Sequence, residues 1–137
     1  MAAIAAKVLA DGQAAPVNHT FSPVNIEGSL AKWQDRAPAV ALGYLTLTQF
    51  LRQPSKDSRS YKLSLKCVLP VLEVTAPTTV TGIQPAPTKA YDLIGVVEFV
   101  LPERSSLAER KDILAYVKNM LAHADITNAV QNFETVY

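Results

Sequence analysis

A chain of 137 residues, 49% apolar and 18% charged, has the size of one domain and hardly of two. A formal net charge of +1 excludes a uniformly basic nucleic-acid binder, and the sparse charge fits a subunit that hides part of its surface in contacts. The single cysteine, Cys67, rules out an internal disulfide; no apolar run reaches membrane-spanning length and no secretory leader is evident, so synthesis and residence in a cytoplasm are expected.

Residues 4–9 read as a short strand, Asp11-Gly12 as a turn, and residues 17–22 as the returning strand of a hairpin. The pattern loosens from Pro23 to Gly28, and residues 29–35, centred on Trp33, suggest a further short strand. From Gly43 the alternation is clear. Tyr44, Thr46, Thr48, Phe50 and Arg52 face one way, while Leu45, Leu47, Gln49 and Leu51 face the other, as in a half-buried antiparallel strand. A polar connection with Pro54 as breaker leads into the most clearly two-faced strand. There Tyr61, Leu63, Leu65, Cys67 and Leu69 oppose Lys62, Ser64, Lys66 and Val68.

Residues 71–87 read as a long connection rich in proline, and a length of that kind points to a functional loop. A further strand is expected from about Lys89 to Val100, with Leu93, Val97 and Phe99 on one parity and Asp92, Ile94, Val96 and Glu98 on the other. Ser105 or Ser106 can cap a helix running to about residue 123, with Ile113, Leu114, Val117 and Leu121 as its apolar stripe. Asp125 can cap a second helix, 126–133. Strands followed by helices give an α+β fold with one antiparallel sheet. Two helices cover only part of such a sheet, so a partner's helices supplying the rest, and hence a dimer, follow as an inference.

Chemistry is sparse. His19 and His123 lack a second histidine or cysteine at ligand spacing, so no metal or cofactor is expected. No base accompanies Cys67, and no phosphate loop or nucleophile elbow is present, so no catalytic residue is assigned and an enzyme is disfavoured. The charge is nevertheless local: Arg52, Lys56, Arg59, Lys62 and Lys66 lie close in sequence, opposed only by Asp57. Lys62 and Lys66 share a strand face with Ser64 between them, and Thr48 and Arg52 occupy the outer parity of the preceding strand. If the two strands pair, cations and hydroxyls form a patch able to position phosphates; a plain solvated face is the alternative. Tyr61 and Tyr91 could stack on bases, although their parity also suits the core.

Two stretches carry a resemblance. Gln53-Pro54-Ser55, continuing through Arg59 to Tyr61-Lys62-Leu63-Ser64-Leu65-Lys66, resembles the turn and RNA-facing strand of the coat proteins of single-stranded RNA bacteriophages, most nearly the allolevivirus type. The end of the chain, from Glu109-Arg110 through His123-Ala124-Asp125 and Asn128-Ala129-Val130 to Tyr137, resembles the family's two C-terminal helices. With the strand before Pro102, these stretches cover about two thirds of the chain.

The resemblance implies a single coat-protein domain spanning 1–137: an N-terminal hairpin at about 4–22, a five-stranded sheet within about 29–100, a long loop at 71–87, and helices at about 106–123 and 126–133. It further implies interlocked homodimers with a continuous ten-stranded sheet, and a T=3 icosahedral shell of about 180 subunits. Single-stranded phage RNA would be packaged inside, and a genomic hairpin bound to repress translation. The maturation protein would be a further partner and the membrane none; assembly would take place in the bacterial host cytoplasm. The RNA-binding positions implied are Thr48, Arg52, Arg59, Lys62, Ser64, Lys66, Tyr91 and Asp92. The family places a tyrosine and an acid two apart in the last strand, whereas Tyr91 and Asp92 are adjacent here, so which of them faces the interior stays open. The other reading, from a different class, is a small cellular nucleic-acid-binding dimer that forms no particles.

Overall fold

The computed structural model describes residues 3–75, 80, 82–83 and 85–137. Six strands form one sheet in the order β1-β2-β3-β4-β5-β6, each beside its neighbour in sequence. They are β1 (Lys7–Ala10), β2 (Asn18–Glu27), β3 (Leu30–Asp35), β4 (Leu45–Arg52), β5 (Ser60–Leu72) and β6 (Lys89–Pro102). The expected N-terminal hairpin and antiparallel sheet are continuous, and the sheet has one strand more than the five expected. Strand β2 pairs with β1 through Lys7↔Phe21 and with β3 through Ser22↔Gln34, so the sheet has six strands.

The stretch from Pro23 to Glu27, expected to loosen, stays in β2. It does so through a bulge: Pro23 faces Trp33 while Asn25 faces Lys32, leaving Val24 as the extra residue. Gly28, at φ 59°, makes the tight turn into β3 with a backbone that side chains with a Cβ rarely adopt. A short 3₁₀ turn, Ala41–Gly43, precedes β4. Gly43 is buried there, and a Cβ would meet Leu72 Cδ1 at 3.3 Å and Pro38 Cβ at 3.5 Å. That approach accompanies the continuation of β5 through Pro70 to Leu72, beyond the strand end expected from the prolines. Residues 76–79, 81 and 84 of the expected connection lie outside the described residues.

One face of the sheet, called the Trp33 face, carries the core. Trp33, Leu47 and Cys67 form one cross-strand row, and Ile26, Ala31, Gln49 and Leu65 another. Phe21, Trp33 and Phe99 are the buried apolar side chains among the described residues. The segment before β1 lies against this face, where Trp33 Nε1 donates to the Ala5 carbonyl at 2.9 Å. The Lys7 ammonium sits 3.8 Å from the indole centre and also donates to Gln49 Oε1 at 3.3 Å.

The buried carboxylate of Asp35 accepts from the Ala37 backbone N–H at 2.9 Å and lies 2.7 Å from His19 Nδ1. His19 Nε2 is 3.5 Å from Asp11, whose carboxylate accepts from Gln13 and Val17 N–H groups and closes the β1–β2 turn. His19 therefore ties the hairpin turn to the end of β3. Burial pushes the Cys67 thiol pKa up, in keeping with a core side chain.

Residues 101–137 form a second compact unit. Ser106 caps α1 (Leu107–Leu121) in a full capping box: its hydroxyl accepts from Glu109 N–H, and Glu109 accepts from Ser106 N–H at 2.7 Å. Helix α2 (Ala124–Asn132) begins two residues earlier than expected. His123 occupies the cap position, so Asp125 lies inside the first turn rather than before it. Phe133 ends α2 in the left-handed region at φ 57°.

Candidate nucleic-acid interface

Strand register assembles the polar face opposite Trp33. Across β4 and β5, Thr48 faces Lys66, Phe50 faces Ser64, and Arg52 faces Lys62. Directly paired residues of antiparallel strands project to the same side, so Thr48, Arg52, Lys62, Ser64 and Lys66 share one surface. The structure thus brings together five of the eight expected positions. Lys66 and Arg52 are exposed and Lys62 is half-buried. Arg52 donates to Ser58 Oγ at 3.3 Å, which steadies it above the β4–β5 connection. Arg59 is exposed in that connection, next to the first residue of β5.

Tyr91 and Asp92 stand at the start of β6. Tyr91 is exposed, and the Asp92 carboxylate accepts from Lys89 Nζ at 2.9 Å. They precede Glu98 by six or seven residues, roughly 20 Å along a strand. Every residue from Lys89 to Val96 is exposed, so burial does not separate their two faces. Among the described residues, no hydrogen bond or ion pair ties either of them to the other five.

Two residues of this surface were missed by the pattern of the sequence. Lys32 faces Thr48 across β3 and β4, which sets a row Lys32–Thr48–Lys66 with a cation at each end. Periodicity within β3 places Lys32 opposite Trp33 in parity, but only the register with β4 brings it beside Lys66. Glu98 is the second. Its carboxylate lies 3.0 Å from Lys62 Nζ and accepts from Ser64 Oγ at 3.3 Å. The hydrogen bond from Lys62, its charge, and Ser64 together hold the Glu98 pKa below the ordinary carboxylate range. Among the described residues, no carboxylate pairs with Lys32, Lys66 or Arg52.

The chemistry offered is therefore that of cations, hydroxyls and the exposed ring of Phe50 on a broad sheet. It suits a polyanion with stackable groups. Among the described residues, no group of three or more His, Cys, Asp or Glu side chains is placed to hold a metal ion, and no helix is long and apolar enough to cross a membrane.

A sheet continuous with an N-terminal hairpin, followed by two helices, defines the architecture of small-phage coat subunits. The sequence model of the Levivirus coat protein family matches residues 2–137, and the chain belongs to that family. It is 31% identical over 127 residues to the capsid protein of Pseudomonas phage PRR1, covering 88% of this chain and 92% of that one. Among solved structures, the virus-like particle of bacteriophage ESE058 superposes with a TM-score of 0.91 at 33% identity, covering 99% of this chain and 100% of its own. The particle of bacteriophage NT-214 gives 0.88 at 31% identity, with the same coverage. The capsid protein of bacteriophage GA, at 18% identity and a TM-score of 0.75, shares the fold over 97% of both chains. Family membership makes this chain a structural capsid protein of a phage virion and not an enzyme, and it displaces the reading of a small cellular binding protein.

Proposed function

We propose that this chain, acting as a single coat-protein domain over 1–137, forms homodimers that assemble into a T=3 shell of about 180 subunits around single-stranded phage RNA. The observation that carries this reading is the register-built face of Thr48, Arg52, Lys62, Ser64 and Lys66, in a chain whose relatives are solved as virus-like particles. The dimer is supported by apolar surface left open in both units. Leu47, Leu51, Leu63 and Leu65 are only half-buried on the Trp33 face, and Ile113, Leu114, Tyr116, Met120 and Leu121 are exposed on α1. A partner's helices laid on the sheet would cover both sets, and edge-to-edge pairing would join the two sheets into one continuous surface.

The Lys66 face would then line the particle and hold RNA through phosphate contacts, with Arg59, Tyr91 and Asp92 adding contacts to a folded hairpin. Binding such a hairpin at a translation start would repress synthesis of the downstream protein. The phage maturation protein is a further partner in this scheme, and assembly takes place in the host cytoplasm.

Electron microscopy of the purified recombinant protein tests the assembly. Closed icosahedral particles containing RNA are expected; dimers that never assemble with RNA present would overturn it. Repression is tested by gel shift with hairpins from the cognate genome against base-scrambled hairpins of equal length. Equal affinity for both would leave packaging without sequence-specific repression.

A further inference from the structure

We infer that Glu98 acts as a built-in competitor for RNA phosphate, occupying Lys62 and Ser64 so that the nucleic-acid backbone is drawn to the row Lys32–Thr48–Lys66 and to Arg52. This rests on the proposed role of the Lys66 face and sharpens it. Of the four cations on that surface, Lys62 alone has an acidic partner among the described residues. The Glu98 carboxylate engages both donors a phosphate would use there, the ammonium at 3.0 Å and the Ser64 hydroxyl at 3.3 Å. Two acceptor oxygens spanning an ammonium and a hydroxyl reproduce part of a phosphate's own demand.

Glu98 is 46% exposed and Lys62 34%, so the pair stays in contact with water and can exchange partners. A phosphate reaching Lys62 must displace a carboxylate or lie beside it, and like charges at that distance repel. Lys32 and Lys66 impose no such exchange. Counterion release, which drives RNA binding and its salt dependence, should therefore come from Lys32, Lys66 and Arg52 rather than from Lys62. The β6 side of the face then acts as a fence, and the β3–β4–β5 side as the track.

The test is fluorescence anisotropy of a labelled oligouridylate bound to the wild-type protein and its variants across a salt series. Glu98→Gln, which keeps the size and removes the charge, is expected to tighten binding about threefold, the scale of an exposed ion pair. It should also steepen the log–log salt slope by roughly 0.7, one further phosphate contact on a single strand. Lys62→Ala should weaken binding less than Lys66→Ala does, and by more in the Glu98→Gln background than in the wild type. The inference is overturned if Glu98→Gln leaves affinity and slope unchanged or weaker while Lys66→Ala still weakens binding. It is equally overturned, with no Glu98 variant needed, if Lys62→Ala lowers affinity and slope as much as Lys66→Ala does. Should Lys66→Ala and Arg52→Ala both leave binding intact, the whole face is misassigned, which is a distinct result.

Discussion

The two faces of one sheet, a single side chain apart, are built on different physics. On the Trp33 face nearly every polar group is consumed internally: Trp33 by Ala5, Lys7 by the indole and Gln49, and Asp35 by His19 and Ala37. On the Lys66 face the polar groups are mostly left available, and the tight pair Lys62–Glu98 stays in contact with water. Satisfied polar groups give a fold its stability, whereas available ones give a surface its binding capacity. Substitutions on the Trp33 face should therefore change stability without altering RNA affinity per folded molecule, and those on the Lys66 face the reverse.

Trp33→Ala should show the largest effect, a loss of about 3–5 kcal/mol for a buried aromatic, measured by urea unfolding. A variant that unfolds at the wild-type midpoint would break the division. Asp35→Ala comes next, at about 1–3 kcal/mol, because the Ala37 N–H and the His19 ring lose a buried acceptor. Lys66→Ala should leave unfolding unchanged while weakening RNA binding up to about tenfold and lowering the salt slope by roughly one. A shift in its urea midpoint comparable to that of Asp35→Ala would merge the two faces.

A smaller effect follows from His19. Its hydrogen bond to Asp35, with Asp11 adding to it, raises the His19 pKa above the ordinary 6.5. The stabilisation is complete below that value and is lost as pH rises through the raised folded-state value. Thermal midpoints should thus decline from just above pH 6.5 upward, and His19→Gln should flatten that decline. Asp35 and Asp11 shift the opposite way, lowered chiefly by backbone N–H donors, so their contribution fades only as pH falls below the ordinary carboxylate range. The smallest expected effect is none. With Cys67 half-buried in β5 and no other cysteine in the chain, particle stability should be the same with and without dithiothreitol.

Legibility in the sequence followed the contrast between faces. Strands β4 and β5 were readable because leucines alternate with Thr, Lys and Ser, and their pairing gathered the expected Thr48, Arg52, Lys62, Ser64 and Lys66. Strand β6 was readable as an element from Lys89, but the faces of its first part were not, since Leu93, Ile94, Val96 and Val97 are apolar on both parities and Lys89 to Val96 are all exposed. That is why Tyr91 and Asp92 resisted assignment. Lys32 and Glu98 were hidden for another reason. Their meaning lies in which residue stands opposite on the next strand, and periodicity within one strand carries no such information. At the helices the capping serine could be narrowed only to two candidates, and the hydrogen bonds with Glu109 single out Ser106.

Val24 gives the hairpin a tolerance that the rest of β2 lacks. Because Pro23 already faces Trp33 and Asn25 already faces Lys32, Val24 could be excised and the ladder would close with every other side chain on its own side. Away from a bulge, the loss of one residue from a strand turns the side chains beyond it to the other face. The bulge is thus a spacer position where the chain can change its length by one residue without exchanging inside for outside.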